Sequence, residues 1–252
     1  MRAFEFLDDV GSLNTNTMVL DKGMSYNNIE DMLKLTGDYF NLLKYGWGTS
    51  ILYNQEIIKD KNELYHSYNI KTYVGGTLFE LANKKDKIDE YFNEIDKLNF
   101  NAVEISDGST TISSEKRLEL ITKSKELGFY TLSEIGKKNP EKDKEYSLEQ
   151  RINLINKDIE AGSDMVIIEG RESGKNIGIY DSNGNVKLDE IDEISMKTKT
   201  EKLLWEAPQK NQQIALILKL GNTVNLGNIN SNDIISLETL RRGLRGDTLG
   251  KV

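Results

Sequence analysis

The segment Ser133-Glu134-Ile135-Gly136-Lys137-Lys138 delivers a carboxylate and two ammonium groups to a glycine-softened edge after a short apolar–polar run. Similar edges recur at Asp21-Lys22-Gly23, Lys44-Tyr45-Gly46-Trp47-Gly48, Glu104-Ile105-Ser106-Asp107-Gly108, Glu169-Gly170-Arg171 and Glu206-Ala207-Pro208. Glu104, Glu134, Glu169 and Glu206 are candidate ligands for Mg²⁺, a hard cation that prefers oxygen. Alternatively, they form structural ion pairs with Lys22, Lys44 and Lys137, because a buried carboxylate needs a partner. Spacing leaves both readings open.

Gly75-Gly76-Thr77 and Gly170-Arg171-Glu172-Ser173-Gly174-Lys175 follow strand candidates and suit an oxyanion through backbone N–H groups and nearby cations. Neither is a dinucleotide or Walker fingerprint. Arg171 is the strongest element, since a guanidinium grips an oxyanion through two hydrogen bonds. Ser173 and Gly174 add a hydroxyl and approachable backbone, and Asn225 joins the same substrate-binding set. The absence of cysteine removes thiolate and disulfide chemistry. The single histidine, His66, is read as structural or solvent-facing, which leaves Lys, Asp, Glu or Tyr as acid or base. The basic cluster Arg241-Arg242-Gly243-Leu244-Arg245 follows a helix and complements its dipole or serves a subunit contact.

These residues need a frame that gathers them. Eight strand candidates are read at Thr17–Lys22, Asn41–Gly46, Lys71–Gly75, Ala102–Ser106, Tyr130–Ile135, Met165–Glu169, Leu203–Glu206 and Thr223–Leu226. Helical patterns lie between them. Ile88, Tyr91, Phe92, Ile95 and Leu98 mark one apolar face, and Leu148, Ile152, Ile155 and Ile159 another. Ser147 with Gln150 resembles a capping box, and a further helix runs from Ser113 to Gly128. Such alternation implies right-handed crossovers and a parallel sheet. Eight repeats in 252 residues predict one α/β domain, a (β/α)8 TIM barrel over 1–252, with charged groups at the carboxyl ends of its strands. Val103 and Ile105 should face helices, which turns Glu104 and Ser106 inward. A hairpin insertion with an Asn183-Gly184 turn is expected at about 176–188.

The formal net charge of −8 argues against broad nucleic-acid or membrane-surface binding. No apolar run approaches the roughly 20 residues of a membrane span. The N-terminus carries Glu5, Asp8 and Asp9, unlike a signal peptide, so a cytoplasmic protein is expected.

The motifs quoted above, taken with Val166-Ile167-Ile168-Glu169-Gly170-Arg171-Glu172-Ser173-Gly174 and Ile235 to Asp247, run in order through nearly the whole chain. In this the sequence resembles the phosphosulfolactate synthase family, archaeal enzymes that open one route to coenzyme M. Asn14-Thr15-Asn16 stands where that family usually shows an Arg followed by a Gly, and Val74 where proline is common. The resemblance implies Mg²⁺-dependent addition of sulfite to phosphoenolpyruvate, giving (2R)-phospho-3-sulfolactate. It implies Lys137 as the acid that protonates C2, with Lys22, Lys44 and Arg171 neutralising the anions. The expected partners are these two small molecules and further copies of the chain in a homo-oligomer. Competing readings are a Schiff-base aldolase using Lys137 or Lys44, and a non-catalytic relative of the plant heat-stress-associated proteins.

Overall fold

Runs rich in Val, Ile, Leu and Thr form eight strands in the computed structural model, which describes residues 3–7, 10–11 and 13–252. They are β1 (Thr17–Asp21), β2 (Leu42–Tyr45), β3 (Lys71–Val74), β4 (Ala102–Ile105), β5 (Tyr130–Ile135), β6 (Met165–Ile168), β7 (Leu203–Glu206) and β8 (Leu226–Asn230). The helices are α1 (Tyr26–Thr36), α2 (Gln55–Ser67), α3 (Gly76–Lys84), α4 (Ile88–Lys97), α5 (Ser114–Glu126), α6 (Pro140–Asp143), α7 (Leu148–Glu160), α8 (Leu188–Lys197), α9 (Lys210–Leu220) and α10 (Ile234–Arg241). Of the acidic N-terminal residues, Asp8 and Asp9 lie outside the described residues.

All paired strands are parallel, in the order β3-β2-β1-β8-β7-β6-β5-β4. β3 and β4 touch at the ends of this order, so the sheet curls into a nearly closed (β/α)8 barrel. Alternation sets two apolar layers. Val19, Leu43, Val103, Ile105, Val166 and Ile168 pack against helices. Met18, Leu20, Leu42, Tyr73, Leu132, Met165, Ile167 and Leu204 fill the interior. Helix starts follow local chemistry. Ser113 accepts from the Lys116 amide, and Ser147 and Gln150 cap each other's backbone.

The amino end of the barrel is fastened by side chains standing before the even-numbered strands. Asn41 accepts from the Thr17 amide at 3.1 Å, Asn101 from Thr72 at 2.9 Å, Asp164 from Thr131 at 2.8 Å and Asn225 from Asn16 at 2.8 Å. Those of Asn41, Asp164 and Asn225 extend a ladder where the backbone has run out, while that of Asn101 links β3 to β4, which share no ladder among the described residues. This corrects two expectations. The last strand begins at Leu226 rather than Thr223, because it carries Gly227, Asn228 and Asn230, which disguise a strand. Asn225 therefore precedes β8, and its amide also donates to the carbonyls of Glu201 and Leu203, at the end of the barrel opposite the substrate site assigned to it. Asn14-Thr15-Asn16 lies at that same end, where Thr15 bonds the Val224 carbonyl.

Between β6 and α8 the chain makes isolated antiparallel bridges, Ile177 with Tyr180 and Tyr180 with Val186. Asp181 ties the turn by accepting from the amides of Asn183 and Asn185, each at 2.8 Å. Ile177, Ile179 and Tyr180 are buried, and the Tyr180 hydroxyl donates to the Glu206 carbonyl at 2.5 Å, so this excursion is anchored to β7. Among the described residues no helix is long and apolar enough to cross a membrane.

Candidate active site

The carboxyl ends of the strands surround a cavity of about 490 Å³, lined among others by Lys44, Trp47, Glu134, Lys138, Glu169, Arg171, Glu206 and Asn228. Its floor is a charge cluster. Lys44 Nζ lies 2.9 Å from Glu104, 3.3 Å from Glu206 and 3.4 Å from Glu134. Burial works against that ammonium, but Glu104, Glu206 and Glu134 outweigh it and hold its pKa well above the usual lysine value. A Schiff-base nucleophile must be neutral, so this environment disfavours the aldolase chemistry.

The four glutamates separate into two roles. Glu134, Glu169 and Glu206, all buried, each offer one oxygen within 4.8 Å of the others and could together hold a metal ion. Glu104 stands outside that group. Its Oε1 accepts the Gly76 amide at 2.6 Å and its Oε2 faces Lys44 at 2.9 Å. The trio suits a cation on its own chemistry. Glu169 Oε2 is buried with no hydrogen-bond partner. Burial and the charges of Glu134 and Glu206 push the Glu169 pKa well above the carboxylate range. Burial opposes ionisation of Glu134 too, yet Lys138, Lys44 and the Ser106 hydroxyl bring it down to about 2. Burial, countered by Lys44, leaves Glu104 at about 7. A hard divalent cation would relieve this crowding of like charge.

The lysines were only partly foreseen. Lys22 sits at the rim, paired with Glu172 and lying 5.0 Å from the centre of the Trp47 ring. Lys137, expected to face the mouth, turns away from it. Its Nζ is held by the Asp107 carboxylate at 2.6 Å and by the carbonyls of Asp107 and Thr110 at 2.8 and 3.1 Å. Lys138 takes the mouth position, 3.3 Å from the Thr77 hydroxyl, 3.4 Å from Glu80 and 3.8 Å from Glu134. Burial opposes its charge, but Glu134, Glu169 and Glu104 raise its pKa above the usual value. Lys138 stands four residues after the inward-facing Glu134 and so shares its face, whereas Lys137 falls on the other.

The loop residues divide as well. Gly75, Gly76, Thr77, Arg171 and Ser173 line the mouth. The Gly75 amide is already bonded to the Tyr45 carbonyl and that of Gly76 to Glu104. Thr77 lies in the first turn of α3, where backbone N–H groups have no intrahelical acceptor. The Arg171 amide donates to Glu169 at 2.6 Å and Glu206 at 3.1 Å, while its guanidinium reaches the Lys138 carbonyl at 2.6 Å. Gly174 packs on Gln212, which takes its carbonyl, and stands behind the loop. Glu80 was not anticipated. This buried carboxylate accepts from the Ser109 amide at 2.7 Å and the Ser106 hydroxyl at 3.2 Å, bracing Glu134 through Ser106. His66, half-buried, contacts the Thr72 hydroxyl at 3.1 Å. Arg241 is buried against the carbonyls of Asn222 and Val224, a structural use of the basic cluster.

Comparison with known proteins agrees with this geometry. The family described as (2R)-phospho-3-sulfolactate synthase (ComA) matches residues 13–247. The chain is 53% identical over 252 residues to the phosphosulfolactate synthase of Methanocaldococcus jannaschii, covering 100% of each. It is 46% identical over 256 residues to that of Methanothermobacter thermautotrophicus, covering 100% of this chain and 99% of the other. Among solved structures it resembles 3-hexulose-6-phosphate synthase from Salmonella typhimurium, with a TM-score of 0.55 at 14% identity over 94% of each chain, a likeness of fold alone.

Proposed function

The chain belongs to the phosphosulfolactate synthase family, and from that membership we propose that it adds sulfite to phosphoenolpyruvate, giving (2R)-phospho-3-sulfolactate at the start of a coenzyme M route. In class it is a carbon–sulfur lyase working in the direction of addition. The observation that carries this reading is the mouth itself, where the buried trio Glu134, Glu169 and Glu206 stands beside Lys44 and Lys138.

Two anions must meet, so the pocket has to supply positive charge before reaction and as charge develops. Lys138, Lys22 and Arg171 ring the opening and neutralise phosphate, carboxylate and sulfite. Glu134, Glu169 and Glu206 would hold Mg²⁺, which would supply a Lewis acid for the negative charge that develops at C2 and the carboxylate when sulfite adds to C3. Lys44 keeps two of those carboxylates at fixed distance. C2 then needs a proton on one face. Lys138 is the ammonium that lines the cavity, its raised pKa keeps it charged at neutral pH, and we assign it the donor role. Lys137 positions the Asp107–Thr110 loop. The phosphate stays on the product, so no leaving-group acid is required.

The test is direct. Phosphoenolpyruvate, sulfite and Mg²⁺ are incubated with the protein and followed by phosphorus NMR. A new phosphate-ester resonance dependent on all three is expected, and its absence overturns the assignment. The same proposal has the enzyme in the cytoplasm as a homo-oligomer. Exposed Trp47, Ile51 and Leu52 near the mouth support self-association, which sedimentation analysis would measure.

A further inference from the structure

Asn228 lies in β8 at a point where regular pleating would turn it toward the helices. Leu226 and Ile229 both pack in the outer layer, three residues apart, whereas like-facing strand residues stand two apart. The register carries the same extra residue: Thr17 pairs with Leu226 and Val19 with Ile229. This is a β-bulge, a device that re-aims a side chain. Gly227 takes the regular inward position, where a Cβ would meet Met18 Cε at 2.9 Å. Asn228 follows with a left-handed backbone at φ 54° and lines the mouth.

Two costs meet at this residue. A non-glycine residue in the left-handed region is strained, although Asn bears it better than most. Asn228 is also 7% exposed, and its Oδ1 is buried with no hydrogen-bond partner. A buried acceptor without a donor is destabilising unless something arrives to use it. The reactants' ionised phosphate, carboxylate and sulfite groups present acceptor oxygens themselves and do not satisfy it. A cation can. Glu206 pairs in register with Gly227, so Asn228 adjoins the carboxylate trio, whose Glu169 Oε2 is likewise buried without a partner.

We propose that Asn228 belongs to the cation site, its amide oxygen facing the divalent ion held by Glu134, Glu169 and Glu206, or that ion's hydration shell. The proposal rests on the carboxylate-site reading above. A neutral oxygen adds affinity for the ion without adding a negative charge that would repel the anionic substrates.

The experiment titrates the metal-free whole protein with Mg²⁺ by calorimetry, and with Mn²⁺ by electron paramagnetic resonance, in the absence of substrates. Asn228→Gly keeps the left-handed backbone and removes the amide. It should weaken cation affinity by about 10-fold or more, the scale on which supporting contacts act at metal sites, while the melting temperature of the metal-free protein holds or rises. Asn228→Asp should tighten Mg²⁺ binding. Glu169→Gln serves as the control and should bind poorly. If both Asn228 variants bind Mg²⁺ as the parent does while Glu169→Gln does not, the inference fails and the carboxylate site stands. Weaker phosphoenolpyruvate binding by Asn228→Asp with unchanged Mg²⁺ affinity would instead turn the amide toward the substrate and overturn the proposal. A parent protein that does not bind Mg²⁺, or binds it as Glu169→Gln does, removes the carboxylate site and this inference with it.

Discussion

Glu104 Oε1 accepts the Gly76 backbone amide at 2.6 Å, and the bond crosses the one seam of the barrel, between β3 and β4, where no ladder runs among the described residues. A Cβ on Gly76 would lie 2.4 Å from Ser106 Cβ and 2.6 Å from that same carboxylate oxygen. Gly76→Ala should therefore part the seam at its upper end. Overpacking of this kind costs about 1–3 kcal/mol, and Glu104 would be displaced with it. Thermal unfolding checks the claim, and an unchanged melting temperature refutes it.

Because Glu104 fastens backbone and Lys44 while Glu169 leaves an oxygen unpartnered, their glutamine variants should behave differently. Glu104→Gln keeps an acceptor for Gly76, so its Mg²⁺ affinity should stay within a few-fold of the parent. Glu169→Gln should lose at least the roughly 10- to 100-fold that even an outer contact is worth. Calorimetry distinguishes them, and equal losses would return Glu104 to the ligand set.

Stability of the metal-free protein should fall as pH rises through neutrality. Glu169 is held well above its ordinary pKa by burial and by Glu134 and Glu206, and Glu104 is raised to about 7. Raised carboxyls bind protons more tightly folded than unfolded, where they titrate near about 4.3. Their stabilising effect is complete below that value and is lost as pH climbs through the folded pKa values. Glu134, lowered to about 2, has the opposite sign, but its contribution is lost only as pH falls toward that value. Mg²⁺ should flatten the decline and bind more tightly at higher pH, since it replaces the proton. Melting temperatures across this window, with and without Mg²⁺, test the sign. A metal-free protein that gains stability toward alkaline pH would contradict it.

The two adjacent lysines should give opposite phenotypes. Lys138→Met should fold normally and lose turnover on the order of 100-fold or more. Lys137→Met should lose stability first, because it releases the Asp107 carboxylate and two loop carbonyls. Steady-state rates alongside melting curves decide the matter, and a reversed pattern would restore Lys137 as the proton donor.

Most of the frame could be read from residue order, because β-branched runs and helix caps are local signals. Ser113, Ser147 and Gln150 sit where their chemistry predicts. Alternation correctly turned Glu104 inward from the outward pair Val103 and Ile105. The same rule failed where the backbone leaves regular pleating. The bulge at Gly227–Asn228 hid both the start of β8 and the amide it delivers, whereas counting in twos from the inward Glu134 reaches Lys138, so the choice of Lys137 went against the rule rather than with it. Glu80 was hidden for another reason. It reaches the site from a helix, and only the fold brings it to Ser106 and Ser109.

The four clasps at the amino end have a bearing on how such an enzyme can change. Three of them are neutral amides, from Asn41, Asn101 and Asn225, and only Asp164 can ionise. The foot of the barrel is thus largely indifferent to the protons and ions that govern its mouth. Beneath the charged floor lies an apolar plug of Met18, Leu42, Tyr73, Leu132 and Ile167 that insulates one end from the other. New carboxylates or cations can be tried at the rim while the foot stays shut. A descendant could abandon this chemistry altogether and inherit a sound vessel.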